Sequence, residues 1–136
     1  IVAELAKNDF KFEKELWKHV DKESFYKFWA LEGLVSFWDG YSGNRNNFFV
    51  YLNHETDKLH FMPWGTDCAF QKYSPLGVDR RSPRSVRTVG IISHRLYQLP
   101  SVRKKYAATM KALLAEHWGE QKLLAETERL EAMLDP

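Results

Sequence analysis

Apolar and polar positions along this chain change their period twice, and each change marks a different kind of element. Residues 8–18 set Phe12 and Leu16, with Val20 just beyond, among charged neighbours, the spacing of a short amphipathic helix. After Asp21 the apolar density rises. Phe25, Phe28, Trp29, Leu31, Leu34, Val35 and Phe37 fill more than one helical face, which predicts a largely buried helix. Asp21 is its expected N-cap, because a carboxylate there accepts from the free amides of the first turn. The period then shortens. Phe48–Leu52 and Leu59–Trp64 are apolar runs on either side of the polar turn Asn53–Asp57, which predicts a β-hairpin. With Asn53 facing Lys58, Asn47 falls opposite Trp64, and Asp67 is expected near Asn44 and the end of the loop that begins at Asp39.

Residues 71–88 carry Pro75, Gly77, Pro83 and three serines and predict a basic loop. A helical tail follows over 89–134. Val89–Leu99 puts Ile92, Leu96 and Leu99 on one side and is expected to stop at Pro100, where the missing N–H and the ring clash end a helix. Ser101 is the expected cap of the next helix, whose stripe is Val102, Tyr106, Met110, Leu113, Leu114 and Trp118. Gly119 breaks the chain, and Glu120–Leu134 is a last amphipathic helix through Leu123, Leu124, Thr127, Leu130 and Leu134. The expected fold class is α+β, mostly α, with helices packed around a small β-hairpin. One domain over residues 1–136 is expected, with the hairpin segment 37–70 at its centre.

Composition narrows the functional classes. Hydrophobic residues make up 44% and aromatics 15% of the 136, which is globular rather than disordered. The net charge of +2 gives no bulk argument for nucleic acid or a membrane surface. From Arg80 to Lys105 there are eight Lys/Arg and no Asp/Glu. That run is either a contact for phosphate or an acidic substrate, or a solvated face balanced by the acidic tail. A single cysteine, Cys68, excludes an internal disulfide, and the five histidines lack metal-ligand spacing. No stretch approaches the ~18 consecutive apolar residues of a membrane helix. The chain starts at Ile1 with no signal-peptide pattern, so it is expected to be a piece of a longer protein.

Chemistry concentrates at one end of the hairpin. Asp39 opens a polar loop with Asn44, Asn46 and Asn47, and Asp67 follows the second strand. Acids and amides gathered in this way supply the oxygen ligands that Mg²⁺ takes. Phosphoryl transfer needs an acid to orient the attacking hydroxyl and oxygens to hold the metal against the phosphates. Protein kinases run a catalytic-loop Asp, an Asn five residues on, a hairpin and a metal-binding Asp. Asp39, Asn44, the hairpin and Asp67 repeat that order. A bland reading stands beside it: Asp39 ends the helix, the asparagines serve turn geometry, and Asp67 caps a turn.

The stretch WDGYSGNRNNFFVYLNHETDKLHFMPWGTDCAF resembles the CotH-like atypical kinases, named for spore-coat protein H. Their pattern runs W-D-(S/G)-Y, an Asn before an aromatic strand, a turn, and P-W-D-x-D-x-x-F. The helix DKESFYKFWALEGLV and the later HRLYQLPSVRKKY are similar to the family as well. The resemblance implies the C-lobe part of a kinase-like fold, using ATP and Mg²⁺ or Mn²⁺ to phosphorylate protein serines. It implies Asp39 as the base, Asn47 or Asn44 as an amide ligand to metal and nucleotide, and Asp67 as a metal ligand. Trp38, Tyr41, Pro63 and Trp64 become framework. Spore-coat or surface proteins are the implied partners, and a spore-coat, envelope or secreted setting the implied location. Gly65 stands where the family's first P-W-D acid would be, and a glycine-rich phosphate loop and a strand-borne Lys are not seen upstream. Two rivals remain: a catalytically inactive scaffold, and a nucleic-acid module built on Arg80, Arg81, Arg84, Arg87 and Arg103–Lys105.

Overall fold

Asn8 starts the first helix, α1 (Asp9–His19), by accepting the Lys11 N–H on its side chain at 3.0 Å. The computed structural model describes residues 8–70 and 86–134. Asp21 then caps α2 (Lys22–Leu34) as its position predicts, accepting the Ser24 N–H at 2.8 Å. The dense apolar pattern of α2 is satisfied by burial of Phe25, Tyr26, Phe28, Trp29 and Ala30. Trp29 packs on Tyr106 with ring centroids 4.5 Å apart, and Phe25 meets Phe61 edge-on at 5.2 Å. Each aromatic side chain withdrawn from water in this way contributes about 1.5–3 kcal/mol.

Beyond α2 a four-residue helix, α3 (Tyr41–Asn44), forms inside the polar loop. The hairpin follows as β1 (Phe48–Asn53) and β2 (Lys58–Pro63), antiparallel, with Phe48 opposite Pro63 and Asn53 opposite Lys58. A 3.0 Å bond from the Trp64 N–H to the Asn47 carbonyl extends this register to the expected Asn47–Trp64 pair. The Asn53 side chain accepts the Glu55 N–H, and Asp57 takes a left-handed φ of 53°, which closes the turn. Two strands alone are marginal, and this pair is pinned to the corner between α1 and α2. The Asp21 N–H donates to the Leu59 carbonyl, and the Lys58 ammonium donates to the carbonyls of Trp17 and Lys18. One face turns Phe61, Phe48 and Leu59 to the core, while Phe49, Tyr51 and Met62 stay exposed.

After the hairpin, Thr66–Cys68 form a 3-10 turn. The C-terminal helices are α4 (Ile91–Tyr97), α5 (Pro100–His117) and α6 (Glu120–Leu134). α4 is shorter at both ends than the expected Val89–Leu99. The junction to α5 also differs from expectation, because Leu99 is the N-cap and Pro100 sits in the first turn. A proline costs nothing there, since a first-turn N–H has no intrahelical partner to lose. Ser101 is therefore not the cap. Val102 and Tyr106 of α5 pack against α2, whereas α6 buries no residue at all. Most of the basic loop, including Arg80, Arg81 and Arg84, lies outside the described residues. Among the described residues no helix is long and apolar enough to cross a membrane. The architecture is mostly α, in the α+β class, as the apolar periods predict.

Candidate functional site

The site begins with a turn out of α2. The Phe37 N–H donates to the Glu32 carbonyl at 2.9 Å, and Ser36 adopts a φ of 52°, so the chain doubles back and delivers Asp39. The carboxylate of Glu32 then receives the next segment. It accepts the N–H groups of Tyr41 and Ser42 at 2.8 Å each, and also the Ser42 hydroxyl. Helix starts leave their first N–H groups without intrahelical partners, and Glu32 supplies them. Its side chain is only 1% exposed. Burial raises its pKa, while the Ser42 hydroxyl, the Ser42 and Tyr41 amides and the charge of Arg87 pull it back. Gly40 permits this approach, since a Cβ there would stand 2.3 Å from Glu32 Oε1.

Asp39 is clamped by the asparagines that follow it. Asn44 Nδ2 donates to Oδ1 and Asn47 Nδ2 donates to Oδ2, both at 2.7 Å, with Asn46 Nδ2 at a longer 3.5 Å from Oδ1. Left-handed backbone at Arg45 and Asn47 turns the chain so that the amides converge on one carboxylate. Because its nitrogen is engaged by Asp39, the Asn47 amide directs its oxygen elsewhere. A Cβ placed on Gly65 would lie 3.6 Å from Asn47 Oδ1 and 3.5 Å from Asp67 Oδ1. Both oxygens therefore flank the same small volume beside Gly65.

Asp39, Asn44 and Asn47 of one loop thus meet Asp67, from beyond the second strand, at one end of the hairpin. Asp67 is exposed on its 3-10 turn, and the Cys68 thiol donates to its Oδ2 at 3.8 Å. Desolvation and then the charges of Asp67 and Asp39 push the Cys68 thiol up, so both carboxylates act on one sulfur. The amide oxygen beside Asp67 belongs to Asn47, whereas Asn44 donates its N–H₂ to the other Asp39 oxygen, Oδ1. Among the described residues no group of three or more His, Cys, Asp or Glu is placed to hold a metal. The donors present are carboxylate and amide oxygens, the hard ligands that suit Mg²⁺ or Mn²⁺.

Two residues brace this loop, and only the second was expected as framework. Glu32 is one, and its signal was a lone carboxylate inside the dense apolar run from Phe25 to Phe37. Tyr41 is the other. Its ring packs against Phe48 with centroids 4.9 Å apart, and its hydroxyl accepts the Ile92 N–H at 2.9 Å. Burial pushes the Tyr41 hydroxyl up to about 12. The Val89 N–H donates to the Ser42 carbonyl, and Trp29 Nε1 donates to the Arg87 carbonyl at 2.7 Å. The segment entering α4 is thereby bound to the same loop.

The family model described as CotH kinase protein matches residues 2–136. This chain belongs to the CotH family. Among its curated relatives, the CotH-family chain is 27% identical to the inner spore coat protein H of Bacillus subtilis over 134 residues. That match covers 93% of this chain and 36% of the relative. It is 26% identical over 109 residues to spore coat protein homolog 1 of Rhizopus delemar, covering 76% of this chain and 18% of that protein. The CotH-family chain thus spans well under half the length of the relatives it matches. No solved structure gives a significant match.

Proposed function

We propose that the Asp39–Asn47–Asp67 end of the hairpin transfers phosphate from ATP to protein hydroxyls, serine foremost, with Mg²⁺ or Mn²⁺ as the metal. The observation that carries this reading is the polarity of the Asn47 amide. Its N–H₂ is engaged by the Asp39 carboxylate, while its oxygen faces Asp67 across Gly65. Asp39 keeps acceptor capacity for a substrate, since a carboxylate offers about four lone-pair sites and the three asparagine amides use at most three of them. A serine hydroxyl donating to Asp39 gives its proton to that carboxylate as its oxygen bonds to the γ-phosphorus. The bond to the β–γ bridging oxygen breaks, and its electron pair leaves with ADP. Asn47 Oδ1 and Asp67 are the residues that would hold the divalent ion, with Asn44 as the second candidate amide. When bound, the ion supplies neutralisation of the charge on the phosphates.

Family membership and the names of both relatives support a spore-coat or envelope setting, and coat or surface proteins are proposed as the substrates found there. These are proposals for the whole protein. The test is to incubate the full-length protein with labelled ATP, Mn²⁺ and a serine-bearing protein. Metal-dependent labelling of serine is expected, and its loss in both Asp39→Ala and Asp67→Asn. Undiminished labelling in either variant overturns the assignment.

Gly65 favours a second reading, a CotH-family scaffold that binds without catalysing, because the family's pattern has an acid there. Trp64 neighbours Gly65 and is 59% exposed, so its fluorescence separates the two readings. A kinase site gives a saturable change as ATP and Mg²⁺ are added; a scaffold gives none.

A further inference from the structure

The loop that carries Asp39 is tied to the core through one buried carboxylate. We infer that Glu32 is a positioning residue for Asp39, acting through α3 to set the asparagine clamp. The inference rests on the phosphoryl-transfer reading of the site. The hydrogen-bond partners of the Glu32 carboxylate are the Tyr41 and Ser42 N–H groups and the Ser42 hydroxyl, so it acts on Asp39 through the chain. Those residues begin α3, and α3 ends at Asn44, whose amide grips Asp39. Arg45 then turns left-handed and brings Asn47 to the other carboxylate oxygen. The start of the clamp is therefore fixed to α2, and Asp39 is held from its own downstream chain.

A carboxylate serves this purpose where a hydrophobe would not. It faces three donors and has no donor of its own when ionised. Replacing either oxygen by a donor turns one contact repulsive and frees the first turn of α3 to shift. An acid in this buried place is otherwise costly, because desolvation penalises its charged form. Its neighbours offset that cost, with Arg87 contributing its charge from the segment before α4 and the α3 amides contributing theirs.

Glu32→Gln in the full-length protein tests the inference. Glutamine keeps the volume but presents an N–H₂ to one of the α3 donors. Three readouts are expected together. The Trp29 indole N–H signal, bonded to the Arg87 carbonyl, stays in place and reports an intact core. The side-chain amide signals of Asn44 and Asn47 move toward solvent-exposed values. Turnover falls on the order of 10²-fold at an unchanged KM for ATP, the scale of a catalytic group displaced by about 1 Å. Glu32→Asp, which keeps both acceptor oxygens, recovers part of the turnover and of the shifts. Unmoved Asn44 and Asn47 signals in Glu32→Gln overturn the inference, whether or not the wild type transfers phosphate. Moved signals in a protein whose wild type transfers nothing sink the kinase reading and leave the coupling of Glu32 to the clamp standing. Should Glu32→Gln fail to fold, Ser42→Ala removes the hydroxyl donor alone, and unmoved asparagine signals there overturn the inference equally.

Discussion

Asn47 divides the site into two halves of different make. On the Asp39 side every element is braced: two asparagine amides hold the carboxylate, Glu32 holds α3, and Tyr41 ties the loop to α4. On the Asp67 side the chain is an exposed 3-10 turn entered through a left-handed Gly65 with a φ of 56°. Its ties include backbone bonds, from the Ala69 N–H to the Thr66 carbonyl and from the Phe70 N–H to the Val35 carbonyl, and the Cys68 thiol donating to Asp67 Oδ2. Under the proposed phosphoryl-transfer reading, the contrast would separate two tasks. Orienting a hydroxyl would demand a carboxylate fixed in advance, as the braced half holds Asp39. Gripping a divalent ion would draw on charge that the ion itself organises, so the Asp67 half would tolerate looser chain.

The largest effect that bears on this contrast is expected from the core. Trp29→Ala removes a fully buried ring and the donor to the Arg87 carbonyl, and should cost about 3–5 kcal/mol in urea unfolding. A loss below about 1 kcal/mol would mean that the braced half does not rest on α2. Gly65→Asp probes the open half. The added Cβ meets Asp67 and Asn47 only at ordinary contact distance, but the left-handed backbone should cost about 1–2 kcal/mol. In return a second carboxylate beside Asp67 should tighten Mn²⁺ binding in calorimetry. Weaker binding would show that the volume beside Gly65 is not where the ion sits.

The smallest effect is a slope. Because burial raises Glu32 in the folded state, that state binds its proton more tightly than the unfolded chain does. Stability should therefore decline as pH rises from the ordinary value of 4.5 through the raised folded value, and Glu32→Gln should flatten that decline. An unchanged slope in the variant would remove Glu32 as its source.

The frame was legible because its periods are strong: the Asp21 cap, the buried helix after it and the hairpin register all follow from spacing. Asp39, Asn44, Asn47 and Asp67 were legible as neighbours because the register carries Asp67 back to the end of the loop that begins at Asp39. What spacing could not give was which amide oxygen faces Asp67, since that depends on the left-handed turns at Arg45 and Asn47. Glu32 was hidden for a related reason. Its partners are backbone N–H groups of a four-residue helix, and side-chain patterns carry no trace of them. The Pro100 junction was misjudged because proline both ends and begins helices, and only the observed cap at Leu99 decides between the two.

In the proposed site Asn47 joins a fixed base to a metal-binding oxygen beside Asp67. The direct measurement is paramagnetic broadening by Mn²⁺ of amide NMR signals in the full-length protein. At low Mn²⁺ selective loss of the Asn47 side-chain, Gly65 and Asp67 signals is expected, reversed by excess Mg²⁺ and absent in Asp67→Asn. Broadening that spares these three, or that persists unchanged in Asp67→Asn, would contradict it.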